Sequence, residues 1–234
     1  MYGEYRLSEL NISVRDLKIW CEKNGFYRYK RVLGDREIEK VLSSDSKVIL
    51  NPVEPVNLPR NLTNYLFIHF GKPVIVEPAS SVTIFLTFPI EIGVFVAKDE
   101  NFEDIDIFSF VKPKYALYGE PRGGIIARYW KSDVLSYLPK IDPLEFGIMK
   151  LRIVNISNSW CEVNKAVFDV YGMKIYYNRD IVSSVAEMRV YSKRVAETNF
   201  LDKPLLDDMK KALELFVARK IPILSTKMTM EWGI

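Results

Sequence analysis

Pro89 interrupts the most apolar stretch of the chain, residues 81–98 (SVTIFLTFPIEIGVFVAK), and this interruption narrows the possible folds more than any other feature. Before it, Val82, Ile84, Leu86 and Phe88 alternate with Thr83, Phe85 and Thr87, the period of a strand with one face in a core. Proline has no N–H to give to a ladder, so the chain must bend or reach an edge there. After it, Ile90, Ile92, Val94 and Val96 alternate with Glu91, Gly93 and Phe95. Two strands that meet at a proline corner predict a sandwich or a sharply bent barrel. A spanning helix needs about 20 apolar residues, and this run is shorter, with Pro89 and Glu91 near its middle. No membrane span is expected.

The rest of the chain repeats the strand-and-turn pattern. FYRYKRVL and REIEKVL, separated by Gly34-Asp35, read as a hairpin. Strands are expected over residues 62–70, 125–131, 146–156, 163–170 and 182–195, and a closing strand over residues 223–232. Residues 138–143, with two prolines, read as a linker. The helical exception is residues 204–219, where Leu205, Leu206, Met209, Ala212, Leu213, Phe216 and Val217 recur at helical spacing behind Asp202 and Pro204. The expected fold is therefore mainly β: an antiparallel β-sandwich or bent-barrel sheets with one C-terminal amphipathic α-helix. Residues 1–138 form an N-terminal β region and residues 139–234 a C-terminal one, separate or sharing one core.

Candidate chemistry is sparse. His69 is the chain's single histidine, so a catalytic triad or a His-based metal site has this residue alone to use. A hydrolase would need it to meet carboxylates of the acidic loop. That loop holds Asp99, Glu100, Glu103, Asp104 and Asp106, and Asp99, Glu103 and Asp104 are its candidate oxygen ligands for a hard cation. It lacks the glycine and the closing glutamate of a calcium loop, and a solvated surface is the plainer reading. Residues 119–124 (GEPRGG) match no phosphate-binding fingerprint and read as a turn. Cys21 and Cys161 make no metal pattern; free buried thiols and a single disulfide both remain open. No cofactor is expected.

Basic residues stand among aromatics twice, at Tyr27–Arg31 and at Arg122, Arg128, Tyr129, Trp130 and Lys131. A sheet that stacks bases on aromatics and holds phosphates with Arg28, Lys30, Arg31 and Arg128 would bind single-stranded nucleic acid. The net charge of +3, left from 33 basic and 30 acidic residues, and the absence of an RNP motif argue against it. The preferred reading is a binding or protein-interaction module, not an enzyme. Its surface would be Tyr115, Tyr118, Arg122, Arg128, Tyr129 and Trp130, and its partner a protein or a small ligand. Open sheet edges call for cover, and a homodimer is one way to supply it. The opening MYGEYRLSEL has no basic leader with an apolar core, so a cytoplasmic location is expected.

FPIEIGVFV, YGEPRGGIIARYW and GMKIYYNRD together make the chain resemble an archaeal family known as domain of unknown function 432. The resemblance spans most of the chain and implies an archaeal origin, but it carries no catalytic motif and no site residue. The lack of glutamine, beside abundant Lys, Arg and Glu, also fits a protein from a hot environment.

Overall fold

The computed structural model describes residues 1–99, 101–219, 221 and 226–234. The chain is mainly β, and it divides into two compact units: Met1–Asn51 with Ile92–Ile107, and Pro52–Glu91 with Phe108–Ile234. The proline-bearing stretch 138–143 lies inside the second unit, between the strands Ile125–Ser132 and Phe146–Asn155.

The first unit is built on two four-stranded sheets. One has the order Gly3–Arg6, Lys47–Val53, Glu91–Lys98, Asn101–Phe108. The other is a meander of Asn11–Val14, Leu17–Asn24, Phe26–Leu33 and Arg36–Leu42. Gly34-Asp35 makes the two-residue turn expected of it, with Leu33 opposite Arg36 and Gly34 at φ 56°. Leu17, Ile19, Tyr29 and Leu50 are fully buried.

The second unit holds a four-stranded sheet ordered Tyr115–Tyr118, Ile125–Ser132, Tyr65–Val76, Cys161–Asp169. It also holds a seven-stranded sheet whose centre is Ser80–Pro89, Phe146–Asn155 and Val182–Val190. Pairing is antiparallel except between Ile125–Ser132 and Tyr65–Val76 and between Phe146–Asn155 and Val182–Val190, which run parallel. Ser80–Pro89 ends at the proline, as its sequence demands, and Ile84, Leu86 and Phe88 are buried. Phe88 lies over Gly147, where a Cβ would stand 2.3 Å from the ring.

The C-terminal helix is far shorter than its sequence suggests. A single turn, α1 (Leu215–Ala218), follows a stretch that is not helical over residues 204–214. There Lys210–Lys211 pairs with Tyr176–Tyr177, and the Ala212 N–H bonds to the Ile175 carbonyl at 2.9 Å. Asp202, expected as a helix cap, accepts the Tyr176 hydroxyl and the Lys211 ammonium instead. Sheet pairing thus takes the backbone groups that a helix would have used, while Met209, Ala212, Leu215 and Phe216 still bury. A closing strand forms at Met228–Met230; residues 222–225 of the expected span lie outside the described residues. No described helix is long and apolar enough to cross a membrane.

Candidate functional site

Two carboxylic acids sit in apolar sequence in the second unit. Glu54 stands between Val53 and Pro55, where the proline ends the ladder; Glu91 stands between Ile90 and Ile92, just past the Pro89 corner. Glu54 is 4% exposed and Glu91 is fully buried. Buried polar groups demand partners, and Asn57 supplies several of those around the two acids. Its backbone N–H donates to Glu91 Oε2 at 2.9 Å, and its Nδ2 donates to the Glu54 carbonyl at 2.6 Å. Its Oδ1 accepts Arg219 Nη1 at 3.0 Å.

The two acids differ in their remaining surroundings. The Glu54 carboxyl accepts its own backbone N–H and that of Leu215, the first residue of α1. Its Oε2 has no hydrogen-bond partner among the described residues. Burial pushes its pKa up to about 8; the Glu214 carboxylate adds to the push, while the two amides and Arg219 oppose it. Near neutral pH this group is mostly a neutral acid, able both to give and to accept a hydrogen bond. Glu91 is pushed up to about 7 by burial, held back by the Asn57 amide and by the charge of Arg128. Arg128 is itself buried, its guanidinium 5.8 Å from the centre of the Tyr115 ring.

Glu54 lines a cavity of about 240 Å³. Asn57, Asn61, Thr63, Asn64 and Arg219 give it further polar lining; Val56, Leu62, Val170, Tyr171, Leu215, Phe216 and Ile221 give it apolar lining. Asn61 and Leu62 are exposed, while Glu54, Val170 and Phe216 are buried, so the wall runs from open lip to closed floor. Local bonds hold the lip. Thr63 Oγ1 donates to the Ile126 carbonyl and accepts the Tyr65 N–H, and Asn64 Nδ2 donates to Asp169 Oδ1 at 3.0 Å. The Tyr171 and Phe216 rings pack at 6.0 Å between centres, tilted by 56°.

The residues singled out in the sequence do not form one site. Tyr115 lies opposite Arg128 in register, but Tyr118 and Arg128 are buried and cannot belong to an open surface. Tyr118 packs edge-on to Phe67 and Trp232, and its hydroxyl donates to the Gly233 carbonyl at 3.0 Å. Trp130 packs on Phe146, and its Nε1 donates to Thr87 Oγ1 at 3.1 Å; Tyr129, one position back, packs against Phe67. Arg122 is exposed on the turn that Gly123 and Gly124 close onto the Glu120 carbonyl.

His69 is half-buried in Tyr65–Val76, with Lys131 and Lys165 as its register neighbours and Nδ1 unbonded. It belongs to the second unit, whereas Asp99, Glu103 and Asp104 belong to the first. Asp99 and Glu103 are exposed, Asp104 is half-buried, and Glu100 lies outside the described residues. No group of three His, Cys, Asp or Glu among the described residues is placed to hold a metal ion. Cys21 and Cys161 are free thiols.

Several basic residues of the nucleic-acid reading are engaged with acids. Arg28 meets Glu39, Lys30 meets Glu22 at 3.1 Å, and Arg31 is buried on Asp106.

In the sequence Glu91 counts only as evidence against a membrane span, and Glu54 draws no attention beside Pro52 and Pro55. The usable signal was the apolar run itself: an acid between Ile90 and Ile92, or between Val53 and Pro55, is placed where burial is hard to avoid. Compared with curated proteins and with solved structures, the chain matches none. A family model described as "Protein of unknown function (DUF432)" does match, over residues 1–232, and the chain belongs to that family.

Proposed function

We propose that the protein is a binding module for a small polar molecule, which it holds in the pocket above Glu54. The observation that carries the reading is Glu54, a 4% exposed acid that lines a cavity and whose Oε2 has no hydrogen-bond partner among the described residues. Leaving a buried polar atom unpaired costs about 1–3 kcal/mol, and sites that keep such atoms call for an explanation. A ligand that pairs with Oε2 supplies one. An apolar wall with a few convergent polar groups and a perturbed acid is the usual make-up of a ligand site. The cavity of about 240 Å³ falls below the roughly 300–1,000 Å³ of pockets for drug-sized ligands, which limits the occupant to the size of an amino acid or a sugar ring.

The test is a titration of ¹⁵N-labelled protein with a library of small polar fragments. The reading expects hits that move the amide signals of Asn57, Thr63, Asn64 and Tyr171 as a group. A library that leaves those four signals unmoved overturns it.

A further inference from the structure

The second unit holds another cavity, an open cleft of about 610 Å³ that shares no lining residue with the pocket above Glu54. Its size falls within the roughly 300–1,000 Å³ of small-ligand sites. Aromatic rings make its floor: Tyr118 packs edge-on to Phe67 at 5.8 Å and to Trp232 at 5.6 Å between ring centres. The Tyr118 hydroxyl is already engaged, donating to the Gly233 carbonyl and accepting the Trp232 backbone N–H. What the floor offers is ring surface and the Trp232 indole N–H.

The charged lining is Lys165, Arg194, Glu120 and Glu231, two of each sign, and no ion pair joins any of the four to another among the described residues. The two signs enter the cleft at different points. Lys165 and Arg194 meet at Gly233: Lys165 Nζ lies 3.5 Å from where a Gly233 Cβ would stand, and the Arg194 carbonyl accepts the Gly233 N–H at 3.2 Å. Gly233, at φ 88° and without a side chain, leaves the approach to that ammonium open. Glu231 and Glu120 meet at Trp232. Glu231 precedes it in the chain, and Glu120 follows Gly119, where a Cβ would stand 2.7 Å from the indole ring. Beyond the cleft, His69 stands opposite Lys165 in register and Lys131 opposite His69, which extends the positive end.

A ligand of one sign would satisfy one pair and be repelled by the other, whereas a ligand that carries both signs is complementary to the whole wall. Lys165 in particular calls for an anion. Its ammonium lies 5.9 Å from the centre of the Tyr118 ring, on a half-buried side chain, with no carboxylate bound to it among the described residues. Ring pairs prefer edge-on or offset contacts, which an aromatic body could make with Tyr118 and Trp232. We propose that the cleft takes a free aromatic amino acid as its zwitterion, with the carboxylate at Lys165 and Arg194, the ammonium at Glu231 and Glu120, and the ring on the aromatic floor.

Three probes with one body separate the charges in calorimetric titrations of the full chain, run at about pH 6 so that an α-amino group is protonated. Phenylalanine carries both charges, N-acetylphenylalanine the carboxylate alone, and phenylalanine amide the ammonium alone. Phenylalanine should bind at least about tenfold more tightly than either, the margin of one hydrogen bond to a charged group. It should also move the amide signals of Gly119 and Gly233 in spectra of ¹⁵N-labelled protein. Lys165→Gln should weaken phenylalanine and N-acetylphenylalanine and leave the amide unchanged. Glu231→Gln should weaken phenylalanine and the amide and leave N-acetylphenylalanine unchanged. A single-charge probe that binds the native protein as tightly as phenylalanine overturns the inference without recourse to any variant, as does a failure of all three to bind. Phenylalanine binding that leaves Gly119 and Gly233 unmoved overturns it too, since the ligand then sits elsewhere.

Discussion

Arg219 donates through Nη1 to the side-chain oxygen of Asn57 at 3.0 Å, which ties the residue after α1 to the loop that carries Glu54. Asn57 in turn holds the Glu54 carbonyl through its Nδ2 and Glu91 Oε2 through its backbone N–H. Asn57→Ala keeps the last of these bonds and loses the other two. The expected cost is about 1–3 kcal/mol, from two lost hydrogen bonds and the buried groups left without partners. Urea denaturation would measure it. The same variant should blunt the fragment-induced shifts at Thr63 and Asn64, because Glu54 and Arg219 lose their common tether.

Stability should fall as pH rises from about 4.5 to about 8. Glu54 has an ordinary carboxyl value of 4.5 when unfolded and about 8 when folded, so between the two the native state holds a proton that the unfolded state has released. Glu91 acts in the same sense between 4.5 and about 7. Each raised carboxyl contributes stability that is complete below its unfolded value and is lost through its folded one, in total on the order of a few kcal/mol. Glu54→Gln removes one of the two. Its stability relative to the native protein should therefore improve from pH 5 to pH 9, as read from denaturation midpoints at several pH values. Parallel pH profiles would show that Glu54 is not held protonated.

The first unit has a separate buried charge cluster. Asp106 accepts the Tyr29 hydroxyl at 2.9 Å and Arg31 Nη2 at 3.2 Å, and all three residues are buried. Asp106→Ala takes the paired carboxylate from a buried guanidinium, and the expected loss is about 3–5 kcal/mol. Replacing both charges, as in Arg31→Met with Asp106→Leu, should recover much of that loss, since an apolar pair carries no desolvation penalty. A thermal melt of the single and double variants checks the order.

Gly147 is fixed by the Phe88 ring. A Cβ there would stand 2.3 Å from Phe88 Cζ, on the strand paired in register with it. Gly147→Ala should cost about 1–3 kcal/mol through overpacking. Adding Phe88→Leu, which clears the space, should make the alanine nearly harmless. Additive losses in the double variant would contradict this assignment.

Local patterns that tertiary structure does not compete with were legible in the sequence. Pro89 ends its strand because it cannot donate, and Gly34-Asp35 turns because glycine takes a positive φ at no cost. The stretch behind Pro204 misled for the opposite reason. Its apolar spacing satisfies a helix, but Tyr176–Tyr177 offers a sheet edge that claims Lys210–Lys211, and the helix shrinks to Leu215–Ala218. The site was harder still. Glu54 and Asn57 share one loop, but Arg219 lies 162 residues beyond Asn57, and no spacing rule joins it to them. Tyr118 and Arg128 looked like surface because aromatic and basic residues alternate there, yet both are buried. Alternation reveals that a strand has two faces; it does not reveal which of them the next layer covers.

The most direct test of the ligand site is a set of crystal structures of the protein, each soaked with a different small polar fragment. Density is expected in the pocket lined by Glu54, Tyr171 and Phe216. Fragments bound at other places, with the Glu54 pocket free of them in every crystal, would contradict it.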